Sequence, residues 1–307
     1  MANLEHLLER TSRTFALSIP VLPEPTRGQV MIAYLLFRIA DTFEDAAHWP
    51  PARRIEALNE FENLLKEYSR PRAERLSQKW TRTDPSQHAG YRELIADVPF
   101  VLESFFALDP EAVASVSAHV IRSAQGMAGF VARARGGVLV LDNLDDLRAY
   151  CYVVAGIVGE LLTELFLLGH PALGAGAPAL RERSRAFGEG LQLVNILKDS
   201  ASDAAEGRRY LPDGVPRAEV LALARANLRA AAEYVLVLQR SGAERGLLAF
   251  TAVPVELAHA TLDRVETAGP GAKLTRPEVY TLVQRVHRAL DRGEPAISAA
   301  GLAAGSH

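Results

Sequence analysis

The chain has 307 residues, of which 49% are hydrophobic, and its 34 Lys and Arg residues against 37 Asp and Glu residues give a formal net charge of -3. This length and composition predict a globular protein with a large core, built as one big domain or two modest ones, and exclude a disordered chain. The chain has no overall basic field that could hold nucleic acid at physiological salt, so nucleic acid is not an expected partner.

Apolar residues recur at helical spacing along most of the chain, and alternating strand patterns are almost absent. The helices predicted from this spacing are residues 29–47, 52–68, 91–108, 110–133, 144–168, 179–202, 217–240, 244–266 and 277–291. Residues 136–141 (GGVLVL) could pass for a short strand, but this strand stands alone. We expect the stretches 70–90 and 169–178 to be surface connections, not domain linkers. The pattern predicts an all-α protein.

The first predicted helix carries a stripe of polar side chains in the segment YLLFRIADTFED (residues 34–45). At about 100° per residue, Arg38, Asp41 and Asp45 fall within about 40° of Tyr34 on the helix surface. The neighbouring positions are almost all apolar, unlike those of a solvated face. The alternative is an ordinary solvated face or an ion pair of Asp41 with Arg38.

A second polar stripe lies in the segment LQLVNILKDSASDAAEGRRYLP (residues 191–212). Gln192, Asn195, Asp199 and Asp203 occupy relative positions 0, 3, 7 and 11, which share one face of a helix. Buried carboxylates are too costly to keep ionised without partners, so we predict that the two stripes face each other across a positive ligand. Oxygen-only ligands favour Mg²⁺.

The helix predicted for residues 144–168 includes the segment YCYVVAGIVGE (residues 150–160), in which Gly156 and Gly159 stand close together. A glycine inside a helix costs roughly 1 kcal/mol relative to alanine, so two of them in four residues call for an explanation. Either another helix or a substrate chain would be able to approach the backbone closely at this point.

Four segments in this order resemble the squalene and phytoene synthase family, the head-to-head isoprenyl diphosphate synthases. They are SRTFALSIPVLP (residues 12–23), YLLFRIADTFED, YCYVVAGIVGE and LQLVNILKDSASDAAEGRRYLP. The resemblance implies a single-domain, all-α isoprenoid synthase fold with a central active-site cavity, which we place at residues 1–293, followed by a flexible tail at residues 294–307. It also implies Mg²⁺ bound to the diphosphates of two allylic isoprenyl diphosphate substrates.

The resemblance assigns roles to individual residues. By it, Asp41, Glu44, Asp45, Asp199 and Asp203 are the metal ligands. The catalytic positions are Tyr34, Arg38 and Tyr150, of which Tyr150 matches a tyrosine that helps with proton removal or cation handling. The positions matched to diphosphate binding and to the lining of the same pocket are Ser12, Arg13, Phe15, Gln192, Asn195 and Arg208.

Thr42 and Glu44 in the first acidic motif resemble the squalene synthase version of that motif, because phytoene and dehydrosqualene synthases more usually have a second Asp at position 42. We therefore expect two farnesyl diphosphates to form presqualene diphosphate, which NADPH then reduces to squalene. Lys273 and Arg276 are the candidate contacts of NADPH. In the second acidic segment, Lys198 and Ser202 depart from the family pattern. The alternatives are a non-reductive dehydrosqualene or phytoene synthase, and a non-catalytic helical scaffold.

The cellular location is expected to be the cytoplasm. The single cysteine, Cys151, excludes an internal disulfide and a cysteine-cluster metal site, which suits a reducing compartment. No signal peptide is recognisable at the N-terminus, and Glu160 and Glu164 interrupt the apolar stretch 152–168, which we therefore interpret as a buried helix. A C30 hydrocarbon product must pass to a membrane, so we also expect weak peripheral contact with lipid.

Overall fold

The computed structural model describes residues 3–12, 15–134, 138–205 and 208–298. Helices dominate these residues, and none of them belongs to an extended strand, so the prediction of an all-α protein is confirmed. Val140, in the stretch that could pass for a strand, forms an isolated parallel bridge with Arg209. The chain divides into two compact units, Met1–Leu139 and Val140–His307.

The first unit is built around α3, whose neighbours are α1, α4, α6, α7 and α8. Its helices are α1 (Leu4–Thr11), α2 (Phe15–Ser18), a 3₁₀ turn (Ile19–Val21), α3 (Thr26–Glu44), α4 (Pro51–Lys66), α5 (Arg70–Arg82), α6 (Ala89–Ala96), α7 (Val98–Phe106) and α8 (Pro110–Ala132). Most of α3 is buried, which leaves few of its positions open to a ligand.

The second unit is built around α11, which packs against α9, α10, α12 and α13. Its helices are α9 (Leu144–Cys151), a π-helical turn (Tyr152–Gly156), α10 (Ile157–Gly169), a 3₁₀ helix (Pro171–Gly176), α11 (Ala177–Ala205), α12 (Arg217–Arg240), α13 (Arg245–Ala268) and α14 (Arg276–Asp291). The sequence pattern gave no sign of the π-helical turn, a rare form that is often found at functional sites.

The prediction of a surface connection at residues 70–90 is wrong over α5. Pro71 lies in the first turn of α5, where a missing N–H costs nothing, so it does not prevent the helix. Ala73, Ser77 and Trp80 form the buried side, and the indole N–H of Trp80 donates to a carboxylate oxygen of Glu60 over 2.8 Å. Basic residues around this narrow buried stripe hid its helical period in the sequence.

The single helix predicted at residues 91–108 is also wrong, because the structure divides it at Asp97 into α6 and α7. Pro99 stands in the first turn of α7. Its ring would clash with the carbonyl four residues earlier in a continuous helix, and it has no N–H to donate. The chain therefore begins a new helix at this point.

The closely spaced glycines pack helix against helix. A Cβ atom on Gly159 would lie 2.0 Å from the carbonyl oxygen of Ser184, and one on Gly188 would lie 2.0 Å from the carbonyl oxygen of Ala155. Real Cβ atoms cannot approach backbone oxygens this closely. Of the two explanations open at the sequence level, the approach of another helix is thus confirmed for Gly159.

The predicted flexible tail begins too early at residue 294. Ala296 and Ile297 are buried, the backbone N–H of Ala296 donates to Gln239 over 3.0 Å, and that of Ser298 donates to the buried Glu256 over 2.6 Å. Residues 294–298 are therefore held against α12 and α13, whereas residues 299–307 lie outside the described part of the chain. The extent of one domain at residues 1–293 stays a prediction.

Candidate active site

The polar stripe predicted on α3 exists in the structure. Tyr34, Arg38 and Asp41 are partly buried, and the residues between them are buried apolar side chains. Asp45 is exposed and caps the helix, with its backbone N–H donating to the carbonyl oxygen of Asp41 over 2.8 Å. The polar stripe of α3 is therefore narrow and flanked by core side chains, and its acidic end is open to solvent.

Arg38 is enclosed by aromatic rings. Its guanidinium carbon lies 5.5 Å from the ring centre of Tyr34 and 5.3 Å from that of Tyr91, and its Nε donates to the Tyr34 hydroxyl over 3.3 Å. The Tyr34 hydroxyl in turn donates to the backbone oxygen of Thr11 over 3.1 Å. These contacts hold the cation in one place while leaving it partly exposed. The sequence pattern missed Tyr91, which reaches Arg38 from another helix.

Arg38 and Asp41 form an ion pair with 3.4 Å between Nη1 and Oδ2. Burial raises the pKa of Asp41 to about 6, because it penalises the charged form more than Arg38 favours it, and Asp45 adds repulsion. Burial alone would lower the pKa of Arg38, but Asp41 and the nearby phenols more than offset it and raise that pKa. An additional cation near Asp41 would therefore stabilise the charged form of its carboxylate.

Glu44, the other ligand predicted on α3, is buried, with 7% of its surface exposed. It therefore lies in a different environment from Asp41 and the exposed Asp45. Its backbone oxygen accepts a hydrogen bond from the buried Arg54. A metal role for Glu44 stays a prediction.

The predicted diphosphate contacts of the N-terminal segment are described in part. Ser12 accepts the backbone N–H of Phe15 on its Oγ over 3.1 Å, at the start of α2. The ring of Phe15 packs on that of Tyr34 with 5.0 Å between the ring centres, so α2 and α3 meet at a predicted site residue. Arg13 lies outside the described residues.

In the second unit, α11 carries the other acidic stripe. The Nζ of Lys198 lies 3.1 Å from a carboxylate oxygen of Asp199 and donates to Asn195 over 3.3 Å. One turn later, the Arg208 side chain reaches the Asp203 carboxylate over 3.2 Å, and its backbone N–H donates to the Asp203 carbonyl oxygen over 2.7 Å. Both aspartates thus already have cationic partners. Gln192 lies on the same helix and is partly buried.

Tyr150 lies on α9 with 3% of its surface exposed. Its ring stacks on that of Tyr210, with 5.1 Å between centres and 22° between planes. Tyr210 belongs to the segment that follows α11, two residues after Arg208. It was not among the predicted site residues, and its place directly after two arginines was the only local signal.

The loop at residues 269–275, which carries Lys273, rests against α11. The backbone N–H of Gly271 donates to the carbonyl oxygen of Lys198 over 2.7 Å. Lys273 is exposed, and so is Arg276 at the first position of α14. The structure therefore brings the predicted cofactor loop to the residue that precedes Asp199, although more than 70 positions separate them in the sequence.

The donor chemistry fits Mg²⁺. Each acidic pair, Asp41 with Asp45 and Asp199 with Asp203, offers carboxylate oxygens one helical turn apart, and Mg²⁺ usually takes one or two carboxylates plus water and phosphate oxygens. Over the described ranges, no group of three or more His, Cys, Asp or Glu residues stands ready to hold a metal by itself. That the two pairs face each other stays a prediction.

Among the described residues, one helical stretch, Leu144–Gly169, is long and apolar enough to cross a membrane. Half of its most apolar window is buried inside the protein. Length and composition of this kind are also found in core helices of globular proteins, so the stretch is weak support for a membrane span.

The fold is that of the all-α isoprenoid synthases. The structure of TcSQS with a bound ligand superimposes with a TM-score of 0.74 at 23% identity, covering 97% of this chain and 86% of the other. A dehydrosqualene synthase crystal structure gives a TM-score of 0.60 at 20% identity, covering 94% and 95%. At these identities the likeness establishes the fold alone.

The squalene/phytoene synthase family model matches residues 8–217, and the chain belongs to this family. A squalene synthase of Eremothecium gossypii is 32% identical over 209 residues, which cover 67% of this chain and 44% of that protein. A squalene synthase of Candida albicans is 30% identical over 210 residues, with the same coverage. The chain thus spans less than half the length of these relatives. Members of the family generally depend on Mg²⁺.

Proposed function

We propose that this chain catalyses the Mg²⁺-dependent head-to-head condensation of two farnesyl diphosphates to presqualene diphosphate, followed by NADPH-dependent reduction to squalene. The observation that carries the proposal is the polar stripe of α3, in which Arg38 and Asp41 form an ion pair beside Tyr34 on a mostly buried helix. The squalene synthase relatives, at 30–32% identity, support the finer assignment.

In this proposal the pair Asp41 and Asp45 and the pair Asp199 and Asp203 would each hold Mg²⁺, which would supply positive charge to the departing diphosphate. Arg38, held between two aromatic rings, provides a fixed cation for the same developing charge. Because its position is set before substrate arrives, little reorganisation is needed during the reaction.

The allylic cation formed on loss of diphosphate must be kept away from water. Apolar side chains would have to form the wall that keeps water out, but Leu35, Ile39, Leu161 and Leu165 are fully buried and serve as core. Val153 and Val154, in the π-helical turn that follows Tyr150, are partly exposed and are the better candidates for the wall. In this scheme Tyr150 accepts a proton or steadies the cation at the reacting end.

The reductive step rests on the loop at residues 269–275. Lys273 and Arg276 would hold the phosphates of NADPH, which supplies the reducing equivalents when bound. The hydrogen bond from Gly271 to Lys198 keeps this loop beside Asp199, so a cofactor on the loop would lie next to a diphosphate at the second acidic pair.

Product analysis tests the whole proposal. The pure protein is incubated with Mg²⁺ and farnesyl diphosphate, with and without NADPH, and the hydrocarbons and diphosphates are identified. We expect presqualene diphosphate without NADPH and squalene with it. Release of dehydrosqualene regardless of NADPH, or use of geranylgeranyl diphosphate to give phytoene, would instead establish the non-reductive alternative. Failure to form any product would leave the scaffold alternative.

For location, we propose a cytoplasmic protein that touches membranes through the segment around α2. Three large apolar side chains within seven residues of this segment are exposed, Phe15 by 38%, Leu17 by 80% and Val21 by 41%. Clustered exposed apolar residues are typical of lipid or protein contacts. In vesicle flotation, Leu17→Glu with Val21→Glu should reduce binding, whereas Leu168→Glu, at an isolated exposed position, should not. Wild-type protein that never floats with lipid would refute the contact.

A further inference from the structure

The stacked pair of Tyr150 and Tyr210 joins two parts of the second unit that are distant in sequence. Tyr150 lies one residue from the end of α9, and the π-helical turn begins at Tyr152. A π-helical turn contains an extra residue, so it interrupts the regular register of side chains along the helix. The ring of Tyr210 therefore supports Tyr150 next to an irregular turn, where the helix alone specifies side-chain direction less strictly.

The backbone that carries Tyr210 is anchored at the two residues that precede it, Arg208 and Arg209. Arg209 forms the isolated parallel bridge with Val140. Arg208 is held to Asp203 by its backbone N–H over 2.7 Å and by its guanidinium over 3.2 Å. Tyr210 thus presents its ring from a short segment with defined anchors, not from a free loop.

We propose that Tyr210 is a positioning residue, which fixes the ring plane of Tyr150 and links it to the Asp203–Arg208 pair. Offset stacking of two rings restricts rotation of the buried one about its side-chain bonds. The phenol oxygen of Tyr150 then keeps one direction relative to α11, where Asp203 lies. This role rests on the proposed function, because the stack would act by orienting Tyr150 during the condensation.

A double-mutant cycle tests whether Tyr210 acts through Tyr150. The variants are Tyr210→Leu, which removes the ring, Tyr150→Phe, which removes only the hydroxyl, and the combination of both. We expect Tyr210→Leu to lower kcat by ~10-fold with KM changed by less than ~2-fold, as for a group that matters only in the transition state. In the Tyr150→Phe background, the same replacement should lower kcat by less than ~2-fold, since no hydroxyl is left to orient.

Two further variants separate positioning from stability. Tyr210→Phe keeps the stacked ring and should retain wild-type kcat. Phe106→Leu removes a stack of similar geometry, that of Phe106 on Tyr68 with 4.9 Å between centres and 23° between planes, and should lower the melting temperature without a fall in kcat. Near-ultraviolet circular dichroism gives a readout independent of turnover. The difference spectrum between a Tyr210 variant and the same variant with Tyr150→Phe isolates the band of Tyr150, and we expect this band to persist with Phe at position 210 and to weaken with Leu.

The outcomes distinguish this role from the proposed function. If the wild-type protein is active, either of two results would overturn the positioning role alone. One is an equal fall in kcat on Tyr210→Leu in both backgrounds, and the other is a Tyr210→Phe variant as impaired as Tyr210→Leu. A Tyr150 band that is as strong with Leu at position 210 as with Phe would show that the ring of residue 210 does not hold Tyr150, and would overturn the positioning role as well. Wild-type protein that forms no product from farnesyl diphosphate would overturn the proposed function and with it the catalytic purpose of the stack.

Discussion

The backbone N–H of Gly271 donates a hydrogen bond to the carbonyl oxygen of Lys198 over 2.7 Å, and thereby fastens a glycine-containing loop to the helix that carries Asp199. Gly271 adopts a φ of 83°, in the left-handed region that other residues rarely enter. The loop therefore makes this contact in a conformation that glycine permits. A cofactor phosphate held by the loop would lie close to the second acidic pair.

The first prediction concerns reduction. Replacing both Lys273 and Arg276 by Ala should raise the NADPH concentration needed for squalene formation by roughly 10-fold, while presqualene diphosphate still forms at a near-normal rate, because phosphate contacts of the cofactor are lost and the acidic pairs are untouched. Squalene and presqualene diphosphate are measured across an NADPH titration. Arg240→Ala, an exposed cation elsewhere in the same unit, serves as the control. An unchanged NADPH requirement in the double variant would contradict the cofactor assignment.

The second prediction concerns the metal. Asp199→Asn should lower product formation by more than ~100-fold, because loss of a metal ligand should cost more than the ~10–100-fold typical of residues that only support one. The fold should persist, since the amide keeps the size of the side chain. Melting temperatures measured with and without Mg²⁺ should show a smaller stabilisation by the metal in the variant. Asp213→Asn, at a side chain 91% exposed, is the matched control. Normal turnover by Asp199→Asn would refute the role.

The third prediction concerns pH. The pKa of Asp41 is raised to about 6 in the folded protein, against about 3.9 in an unfolded chain, so the folded state holds this proton more tightly. The stability contributed in this way is present below about pH 4 and is lost as the pH rises through about 6. Asp41→Asn should therefore stabilise the metal-free protein by about 1–2 kcal/mol at pH 8, a value discounted for the partial exposure of the side chain.

Urea unfolding at pH 4.5 and pH 8 measures this difference. The gain from Asp41→Asn should be smaller at the lower pH, because Asp41 of the wild-type protein is then mostly protonated. Asp145→Asn, at a side chain 93% exposed, should change stability little at either pH. A loss of stability in Asp41→Asn at pH 8 would show that the ion pair with Arg38 outweighs the cost of burial.

The fourth prediction concerns helix packing. Gly159→Ala should lower the free energy of unfolding by about 2–4 kcal/mol, because its Cβ would lie 2.0 Å from the carbonyl oxygen of Ser184 and the backbones must separate. At Gly129 on α8, the new Cβ would meet no atom within 4 Å beyond its chain neighbours and the adjacent backbone of its own helix, so Gly129→Ala should instead raise that free energy by about 0.5–1 kcal/mol. Urea unfolding measures both. Equal effects of the same sign would contradict the packing argument.

Local sequence periodicity determined the helical class and the two polar stripes. Tyr34, Arg38 and Asp41 share a face because the helical repeat places residues three and four apart side by side, whatever surrounds the helix. The same reasoning failed for α5, because only Ala73, Ser77 and Trp80 are buried among polar residues, and for residues 91–108, where Pro99 starts a new helix. Periodicity reports burial only where the buried face is wide.

The partners of these stripes were decided by tertiary structure. Each partner comes from a different element of the chain: Tyr91 contacts Arg38, Tyr210 contacts Tyr150, and Gly271 contacts Lys198. A pattern within one helix therefore cannot predict these contacts. The raised pKa of Asp41 likewise depends on burial by surrounding helices. Sequence spacing determines which side chains share a face, because that follows from one helix alone. Which atoms meet that face depends on how separate helices pack.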